Sequence, residues 1–410
     1  MARECKAFVR AKKVKTPEQL LRVVLLYGGL DKSLRTVAGI FTAWSEPITD
    51  QAVAERLRAW GPWVKALLRQ RLPVVPMTTL PQGKRFLVID GSTVQAPGAR
   101  GLDHRLPLCR DLVSLEFVEV LVTEVHSGET LKPFTLGSEV VVVADRGYAQ
   151  PQGMSAAVQQ GADLIVRLNP FSVVLSTPAG QPLVLEVALK PQPAETIRTL
   201  PVVIRSACGQ HEGQGWVQAY RLSAEQASRA RQKCRQRHKT GQPQAATLFL
   251  AGWLLIFTTL APAVLAAETI VALYRCRWQV ELAIKRWKSV LDVDALRAKA
   301  GSPLALVWLH GKLLYALMLE RRMRRTRGGA WGRLDQERAG TWWRGWEMLK
   351  EALAPRISAA LFWQEEAWTT CLQMVAERPR CRKLQQLPSA ALTLLSRCDH
   401  CQNDGVPLAA

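Results

Sequence analysis

Apolar residues recur at helical spacing through the first part of the chain. They stand at positions 20, 21, 24 and 25, and again at 34, 37, 38 and 41. This spacing puts side chains on one face of an α-helix. After a break at Ser45-Glu46-Pro47, Thr49 or Asp50 can cap a further helix. The pattern therefore predicts helices over residues 15–72.

Two interpretations fit this helical region. A helix, a short turn and a second helix with Arg56 and Arg58 pointing outward resemble a DNA-binding helix-turn-helix. A plain helical bundle shows the same apolar spacing. The pattern does not choose between them. Residues 73–83, PVVPMTTLPQG, are typical of a linker that ends the region.

Short continuous apolar runs then replace the helical spacing. KRFLVID at 84–90 and EVVVVAD at 139–145 each end in an acid, and ADLIVRL at 162–168 is a third run. Runs of this length predict buried strands. Strands that alternate with helices predict an α/β sheet with its active site at the strand ends. Two further predictions are one or two strands within 112–125 and a helix at 152–160.

The second half of the chain begins with strand-like alternation and turn residues at 171–222, followed by a basic helical stretch at 223–241. A long helix is predicted at 268–292, and the remainder is mainly helical with a basic cluster at 321–327. The predicted divisions are a helical N-terminal DNA-binding domain (1–75), the first part of the core (84–170), a β-rich insertion with its basic helix (171–245), the second part of the core (246–320) and a helical C-terminal region (321–410).

One uncharged segment, residues 245–267, is long enough to span a bilayer. Pro262 interrupts it, basic segments flank it, and its threonines suit a strand. A buried strand near 247–259, a turn at Ala261-Pro262 and the start of a helix explain the segment better. A membrane protein is the alternative.

Charge narrows the class of partner. The chain has 410 residues with 55 Lys+Arg against 34 Asp+Glu, a formal net charge of +21. This excess favours a polyanion, usually nucleic acid. The nine cysteines are scattered and odd in number, which indicates reduced thiols in a cytoplasmic protein. Cys398 and Cys401 form a CxxC with too few further ligands to predict a zinc site.

Asp90 and Asp145 each close an apolar run and precede a turn, DGS and DRGY. Two carboxylates that meet at the rim of a sheet repel each other unless a cation neutralises them. Oxygen ligands select hard ions, so the pair predicts Mg²⁺ or Mn²⁺ rather than zinc. For either residue alone, capping of the following turn is an equally good explanation.

A third acid lies in the predicted helix YRCRWQVELAIKRWKSVL. Tyr274, Arg277, Glu281 and Lys288 are spaced so that they share one face. A glutamate between two cations can ligate a metal while the cations hold phosphate. The alternative is a stripe of ion pairs on a solvated helix.

This spacing matches the YREK signature of the IS-four family of bacterial insertion-sequence transposases. VIDGSTV around Asp90 and VVVADRGYA around Asp145 resemble the family's two aspartate strands, and IVRLN at 165–169 is similar to the strand that follows. The resemblance covers roughly residues 84–320. It implies an RNase H-like α/β core, a mixed sheet interrupted by a β-rich insertion, with helical regions at both ends.

The resemblance also implies a DDE transposase that cuts insertion-sequence ends and joins them to target DNA. Asp90, Asp145 and Glu281 would hold two Mg²⁺ ions, with Asp90 bridging them, and Mn²⁺ could substitute. The partner would be double-stranded DNA, both the terminal inverted repeats and the target. A homodimer is expected because two ends must meet. The protein would be cytoplasmic and associate with the bacterial nucleoid when bound to DNA.

Further residues have expected roles in holding DNA. Tyr274, Arg277 and Lys288 would hold phosphates near the cut, and Arg146 beside Asp145 is a further phosphate candidate. Family members can stack a displaced base on a tryptophan of the insertion, and Trp216 in its Gly-rich stretch suits this role. The tryptophans expected to pack in the protein interior are Trp253, Trp278 and Trp287.

Two rival functions share these residues. A metal-dependent nuclease or resolvase would use the same carboxylates without strand transfer. A catalytically silent DNA-binding protein derived from a transposase would keep the basic charge, although the presence of all three acids argues against it.

Overall fold

The computed structural model describes residues 1–72, 83–190, 192–206, 212–237, 243–327, 342–360 and 370. In this part of the chain, helices come first and last and the strands lie between them. The α-helices are α1 (Pro17–Val24), α2 (Leu34–Trp44), α3 (Asp50–Ala59), α4 (Gly61–Arg71), α5 (Pro151–Gln159), α6 (Leu185–Ala188), α7 (Ala224–Arg237), α8 (Ala245–Leu250), α9 (Ala267–Cys276), α10 (Trp278–Leu291), α11 (Pro303–Arg327) and α12 (Trp342–Ser358). The strands are β1 (Arg85–Val94), β2 (His104–Asp111), β3 (Phe117–Val120), β4 (Thr123–Glu124), β5 (Val140–Ala144), β6 (Asp163–Arg167), β7 (Val174–Ser176), β8 (Ile197–Arg205), β9 (Glu212–Arg221) and β10 (Trp253–Thr258).

The helices predicted for residues 15–72 are present as α1 to α4. Thr16, Ser33 and Thr49 each cap a helix by accepting a hydrogen bond from a backbone N–H three residues later. Of the two caps expected for α3, Thr49 makes this bond, to the Ala52 N–H at 3.2 Å. Side-chain caps of this kind satisfy amide groups that the first helical turn leaves without partners.

These N-terminal helices form a bundle with α11. Gly28 and Gly311 make the crossing possible, because a Cβ atom on Gly28 would lie 2.6 Å from the Trp308 carbonyl oxygen. Lys312 is buried in the same crossing, where its Nζ lies 2.5 Å from Asp31 Oδ2 and 3.2 Å from the Gly29 carbonyl oxygen. Asp31 also accepts a hydrogen bond from the Trp308 indole at 2.9 Å. The predicted bundle is therefore present, and its contact with DNA remains a prediction.

The strands form one mixed sheet in the order β3-β2-β1-β5-β6-β10-β9-β8-β7, with β4 paired to β2. β1 and β5 are parallel, as are β5 and β6, and the other pairs are antiparallel. The side of the sheet that begins at β3 and ends at β6 is the mixed α/β core expected from the sequence. Alternate residues of β5 enter different cores, with Val141 and Val143 facing the helical bundle side and Val142 facing α5.

The β-rich insertion is not a separate sheet. β7, β8 and β9 continue the core sheet outward from β10, which pairs with β6 on one side and β9 on the other. The inserted strands therefore share the hydrophobic core that contains Val142 and Leu255. Because the hydrogen bonding between strands is continuous, the insertion has a fixed position relative to the ends of β5 and β6.

Several predicted elements differ in their boundaries. The strand expected near 247–259 is instead the helix α8 followed by the shorter strand β10, because alanine and leucine favour a helix before Gly252. The long helix expected at 268–292 is two helices, α9 and α10, separated at Arg277. There the Arg277 N–H bonds to the Tyr274 carbonyl three residues back, a tighter turn than the α-helix allows.

The strand predictions between the two aspartates were also incomplete. β1 continues four residues past Asp90, whereas the apolar run ends at that residue. β2 was missed, whereas the one or two strands predicted within 112–125 are present as β3 and β4. α11 crosses the predicted boundary at 320/321. Residues 73–82, Lys239 and the pair Cys398 and Cys401 lie outside the described residues.

No helix in the described ranges combines the length and the apolarity that a bilayer crossing requires.

The buried Lys312–Asp31 pair predicts an asymmetry between two substitutions. Asp31→Asn leaves the Lys312 charge buried without a counter-charge and should lower the free energy of unfolding by roughly 3 kcal/mol. Lys312→Met should lower it much less, because Asp31 is partly exposed and keeps contact with water. Urea denaturation of both variants and of the double variant measures this. Equal losses from the two single substitutions would contradict it.

Candidate active site

Two neighbouring parallel strands bring Asp90 and Asp145 together. The paired register of β1 and β5 ends at Ile89 opposite Ala144, so the next residue on each strand is an aspartate. Parallel strands lie about 4.8 Å apart, which makes these carboxylates neighbours at one edge of the sheet. The Gly91 N–H donates to Asp90 Oδ1 at 2.8 Å and fixes its orientation.

The third acid comes from the first turn of α10. Glu281 follows Arg277 by four residues, and Arg277 itself is the break between α9 and α10. Tyr274 lies in the last turn of α9 and is buried, with its hydroxyl at the Asp145 carboxylate. The predicted clustering of Tyr274, Arg277 and Glu281 with the two aspartates is therefore what the structure contains.

The Arg277 guanidinium lies among all three carboxylates. Its Nη1 is 3.4 Å from Asp90 Oδ2, and its Nη2 is 3.9 Å from Asp145 Oδ2 and 2.6 Å from Glu281 Oε1. The Tyr274 hydroxyl donates to Asp145 Oδ1 at 2.8 Å. The Arg277 side chain thus contacts three carboxylates that are distant from one another in sequence.

The pKa values of the two aspartates are shifted in opposite directions. Burial, together with the charges of Glu281 and Asp145, raises the pKa of Asp90 to about 6 against the opposing effects of the Gly91 N–H and Arg277. Burial also acts to raise the pKa of Asp145. For this residue, the Arg146 N–H, the charge of Arg277 and the Tyr274 hydroxyl outweigh burial and hold the pKa below its usual value. The charged form of Asp90 is therefore less stable in this site than the charged form of Asp145.

These carboxylates have the donor chemistry of a divalent metal site, although they surround a guanidinium here. Within the described ranges, no group of three His, Cys, Asp or Glu side chains is close enough together to hold a metal ion as it stands. The Arg277 guanidinium occupies the place of a cation between them. Its Nε is buried without a hydrogen-bond partner among the described residues, so the side chain is imperfectly accommodated there.

Arg110 of β2 holds the first turn of α10 in place. The buried Arg110 side chain donates from Nη1 to the Gln279 carbonyl oxygen at 2.7 Å and from Nη2 to Glu320 Oε1 of α11 at 3.2 Å. Gln279 lies two residues before Glu281, so this contact orients the glutamate. The sequence held no signal for it, because Arg110 and Gln279 are 169 residues apart.

Two residues predicted to hold phosphate lie beside the acids rather than among them. Lys288 is 3.7 Å from Asp294, two helical turns past Glu281. Arg146 follows Asp145 directly and donates from Nη2 to Asn169 Oδ1 at 2.6 Å. The Lys288 side chain contacts none of the three carboxylates in the described contacts, whereas the Arg146 backbone N–H bonds to Asp145.

Trp216 lies farther away. It is half-buried in β9, opposite Thr258 of β10, and β9 is three strands across the sheet from β5. At about 4.8 Å per strand, it stands roughly 14 Å or more from Asp145. The structure does not bring Trp216 to the acids, and its contact with a base remains a prediction.

The sequence did not predict the surroundings of two residues, Arg167 and Trp278. Arg167 ends β6, and its Nη1 lies 4.0 Å from Asp145 Oδ1. Its place at the end of the run that follows the Asp145 strand was the available signal. Trp278, which was expected to pack, is 53% exposed, with Lys285 Nζ 4.7 Å from the ring centroid. The expectation was right for Trp253 and Trp287, which are buried.

Comparison with known proteins identifies the family. Residues 81–317 match the family described as the transposase DDE domain. The chain is 31% identical over 331 residues to InsL, named as a transposase of insertion sequence element IS186A in Escherichia coli strain K12, over 78% of this chain and 88% of that protein. It is 32% identical over 332 residues to the transposase for insertion sequence element IS421 of Escherichia coli, with the same coverage. The chain therefore belongs to the DDE transposase family, whose catalytic domain has the RNase H-like fold seen here.

Proposed function

We propose that Asp90, Asp145 and Glu281 are the catalytic carboxylates of this transposase and that together they bind two Mg²⁺ ions. The observation that carries the proposal is the convergence of the three side chains on the Arg277 guanidinium. They come from two strands and a helix, and the first and last are 191 positions apart in the numbering. Acids that repel one another are stabilised by a cation between them, and carboxylate oxygens are ligands that Mg²⁺ accepts.

Transposases of the DDE family use divalent metal ions. Magnesium is the specific choice because all the donors are carboxylate oxygens, with Mn²⁺ as a substitute. When bound, the ions would activate an attacking hydroxyl and stabilise the charge on the leaving oxygen. Burial raises the pKa of Asp90 to about 6, and a bound divalent cation would offset this by stabilising the charged carboxylate.

Arg277 would then have two positions. In the present structure it balances the carboxylates, and it has to leave the space between them before a metal ion can be held there. A guanidinium is well suited to the bidentate binding of phosphate, so DNA entering the site offers it a second partner. We propose that Arg277 moves to a phosphate beside the cut while Tyr274 continues to hold Asp145.

The remaining DNA contacts follow from position along the same edge. Lys288 would bind a phosphate two turns along α10, and Arg146 would bind one beside Asp145. Trp216 would meet DNA only if a base were displaced towards the insertion. The partners proposed are the terminal inverted repeats and the target DNA, with two copies of the chain acting together because two ends must be joined.

The proposed division of labour follows the predicted domains. Residues 1–75 would contact the ends of the element, and residues 321–410 would contribute to dimer formation or to contact with end DNA. The strong net charge of +21 supports DNA contact over a surface wider than the catalytic edge.

Substituting each acid by its amide tests the catalytic assignment. Asp90→Asn, Asp145→Asn and Glu281→Gln should each reduce cleavage of a labelled element end by about a thousandfold, because each removes charge that the reaction requires. Binding to the same DNA should survive. Asp163→Asn is the matched control, since Asp163 pairs with Lys84 at the opposite end of β6. Normal cleavage by any of the three variants would remove that residue from the site.

Substituting Arg277 tests the competition between the guanidinium and the metal. Without DNA, Arg277→Gln should bind Mn²⁺ about tenfold more tightly than the natural protein, equivalent to ~1.4 kcal/mol of ion pairing that the metal no longer has to displace. Electron paramagnetic resonance titration with Mn²⁺ measures this directly. Lys288→Gln, on the same helix but away from the acids, should leave Mn²⁺ affinity unchanged. Weaker Mn²⁺ binding by Arg277→Gln would contradict the exchange.

A further inference from the structure

The helix α7 is basic and exposed along almost its whole length. Within its 14 residues, the buried position among those described is Ala227. Its charged residues are one glutamate, Glu225, and five cations, Arg229, Arg231, Lys233, Arg235 and Arg237. A helix this polar contributes little apolar packing, so stability does not explain its composition.

The fold places α7 at the edge of the sheet that carries Asp145. β9 runs antiparallel to β10 and β10 antiparallel to β6, so β9 ends at the edge where β5 and β6 end. α7 begins directly after β9. Arg231 fixes it there by donating from Nε to the Leu248 carbonyl oxygen of α8 at 3.1 Å. The inserted strands thus serve to carry a basic helix to the catalytic edge.

The C-terminal end of α7 approaches two arginines beside Asp145. Burial is the largest cause that lowers the pKa of Arg146, and the charges of Arg167 and Arg237 lower it further. Arg167 also lies 4.0 Å from Asp145. Three guanidinium groups from three separate elements are therefore held near one another, with Asp145 as the acid beside them in the described contacts. Such an arrangement repels itself and favours a polyanion.

We propose that the C-terminal half of α7, with Arg146 and Arg167, forms a phosphate-binding wall for DNA that leaves the active site past Asp145. We call this set, Lys233, Arg235, Arg237, Arg146 and Arg167, the α7 wall. Lys233 and Arg237 lie one turn apart on the same face of α7, about 6 Å along the helix axis, which is roughly two base pairs of duplex. This proposal rests on the proposed function only for the direction in which DNA leaves the active site.

Single and triple substitutions in α7 test the wall through DNA binding alone. The triple variant Lys233→Ala/Arg235→Ala/Arg237→Ala should bind an element-end duplex roughly tenfold more weakly in EDTA. The slope of log K against log salt should fall by roughly 2 to 3, since each lost phosphate contact removes about 0.9. Fluorescence anisotropy at several KCl concentrations measures both quantities, and circular dichroism checks that the exposed substitutions leave the fold intact.

The matched control is on the same helix. Arg229 is exposed like Arg237, but it lies about two turns nearer the start of α7 and pairs with Glu225. Arg229→Ala should leave the salt slope unchanged, whereas Arg237→Ala alone should lower it by about 0.9. Equal slopes for natural protein and triple variant, or equal effects of Arg229→Ala and Arg237→Ala, would overturn the proposal. Because no metal is present, failure of the catalytic assignment would not alter these results.

Cys234 supplies a local probe. It is half-buried on the turn before Arg237 and close enough to influence Arg146. Saturating DNA should slow alkylation of Cys234 by maleimide at least several-fold in the natural protein. In the triple variant, compared at equal DNA occupancy, the protection should be lost. An unchanged alkylation rate in the natural protein would show that DNA does not cover this end of α7.

Discussion

The structure depends on one electrostatic constraint, which is that three carboxylates share a small partly buried space. Burial raises the pKa of Asp90 to about 6, and the charges of Glu281 and Asp145 add to this effect because like charges repel. Arg277 offsets part of that repulsion by contacting all three acids within 4 Å. The helix is interrupted between α9 and α10 at Arg277. This interruption lets the Arg277 side chain reach the carboxylates at the strand ends instead of following one continuous helix face.

The rest of the fold makes this arrangement rigid. The register of β1 with β5 fixes the two aspartates as neighbours, and Arg110 fixes the first turn of α10 above them. Beyond β6, the inserted strands extend the same sheet instead of forming an independent module. As a result, α7 is held at a defined position relative to Asp145, and the bundle of α1 to α4 with α11 shares a hydrophobic core with the opposite face of the sheet.

Local patterns in the sequence predicted those site residues whose positions depend on their neighbours in the chain. Asp90 and Asp145 were found because apolar runs end at both, and Glu281 because of its spacing from Tyr274 and Arg277. The errors have the same origin. Residues 245–250 are as apolar as the strand that follows, so apolarity alone did not separate the helix α8 from the strand β10. Contacts such as Arg110 with Gln279, or Lys312 with Asp31, join residues far apart and leave no local pattern. The exposure of Trp278 likewise depends on which neighbours the fold supplies.

The central claim is that Asp90, Asp145 and Glu281 hold divalent cations in place of the Arg277 guanidinium. Anomalous X-ray diffraction from crystals of the full chain with element-end DNA and Mn²⁺ tests it most directly. The account predicts two manganese peaks within ligand distance of these three carboxylates, with Arg277 turned towards a DNA phosphate. Manganese bound elsewhere, with Arg277 still between the acids in the DNA complex, would contradict it.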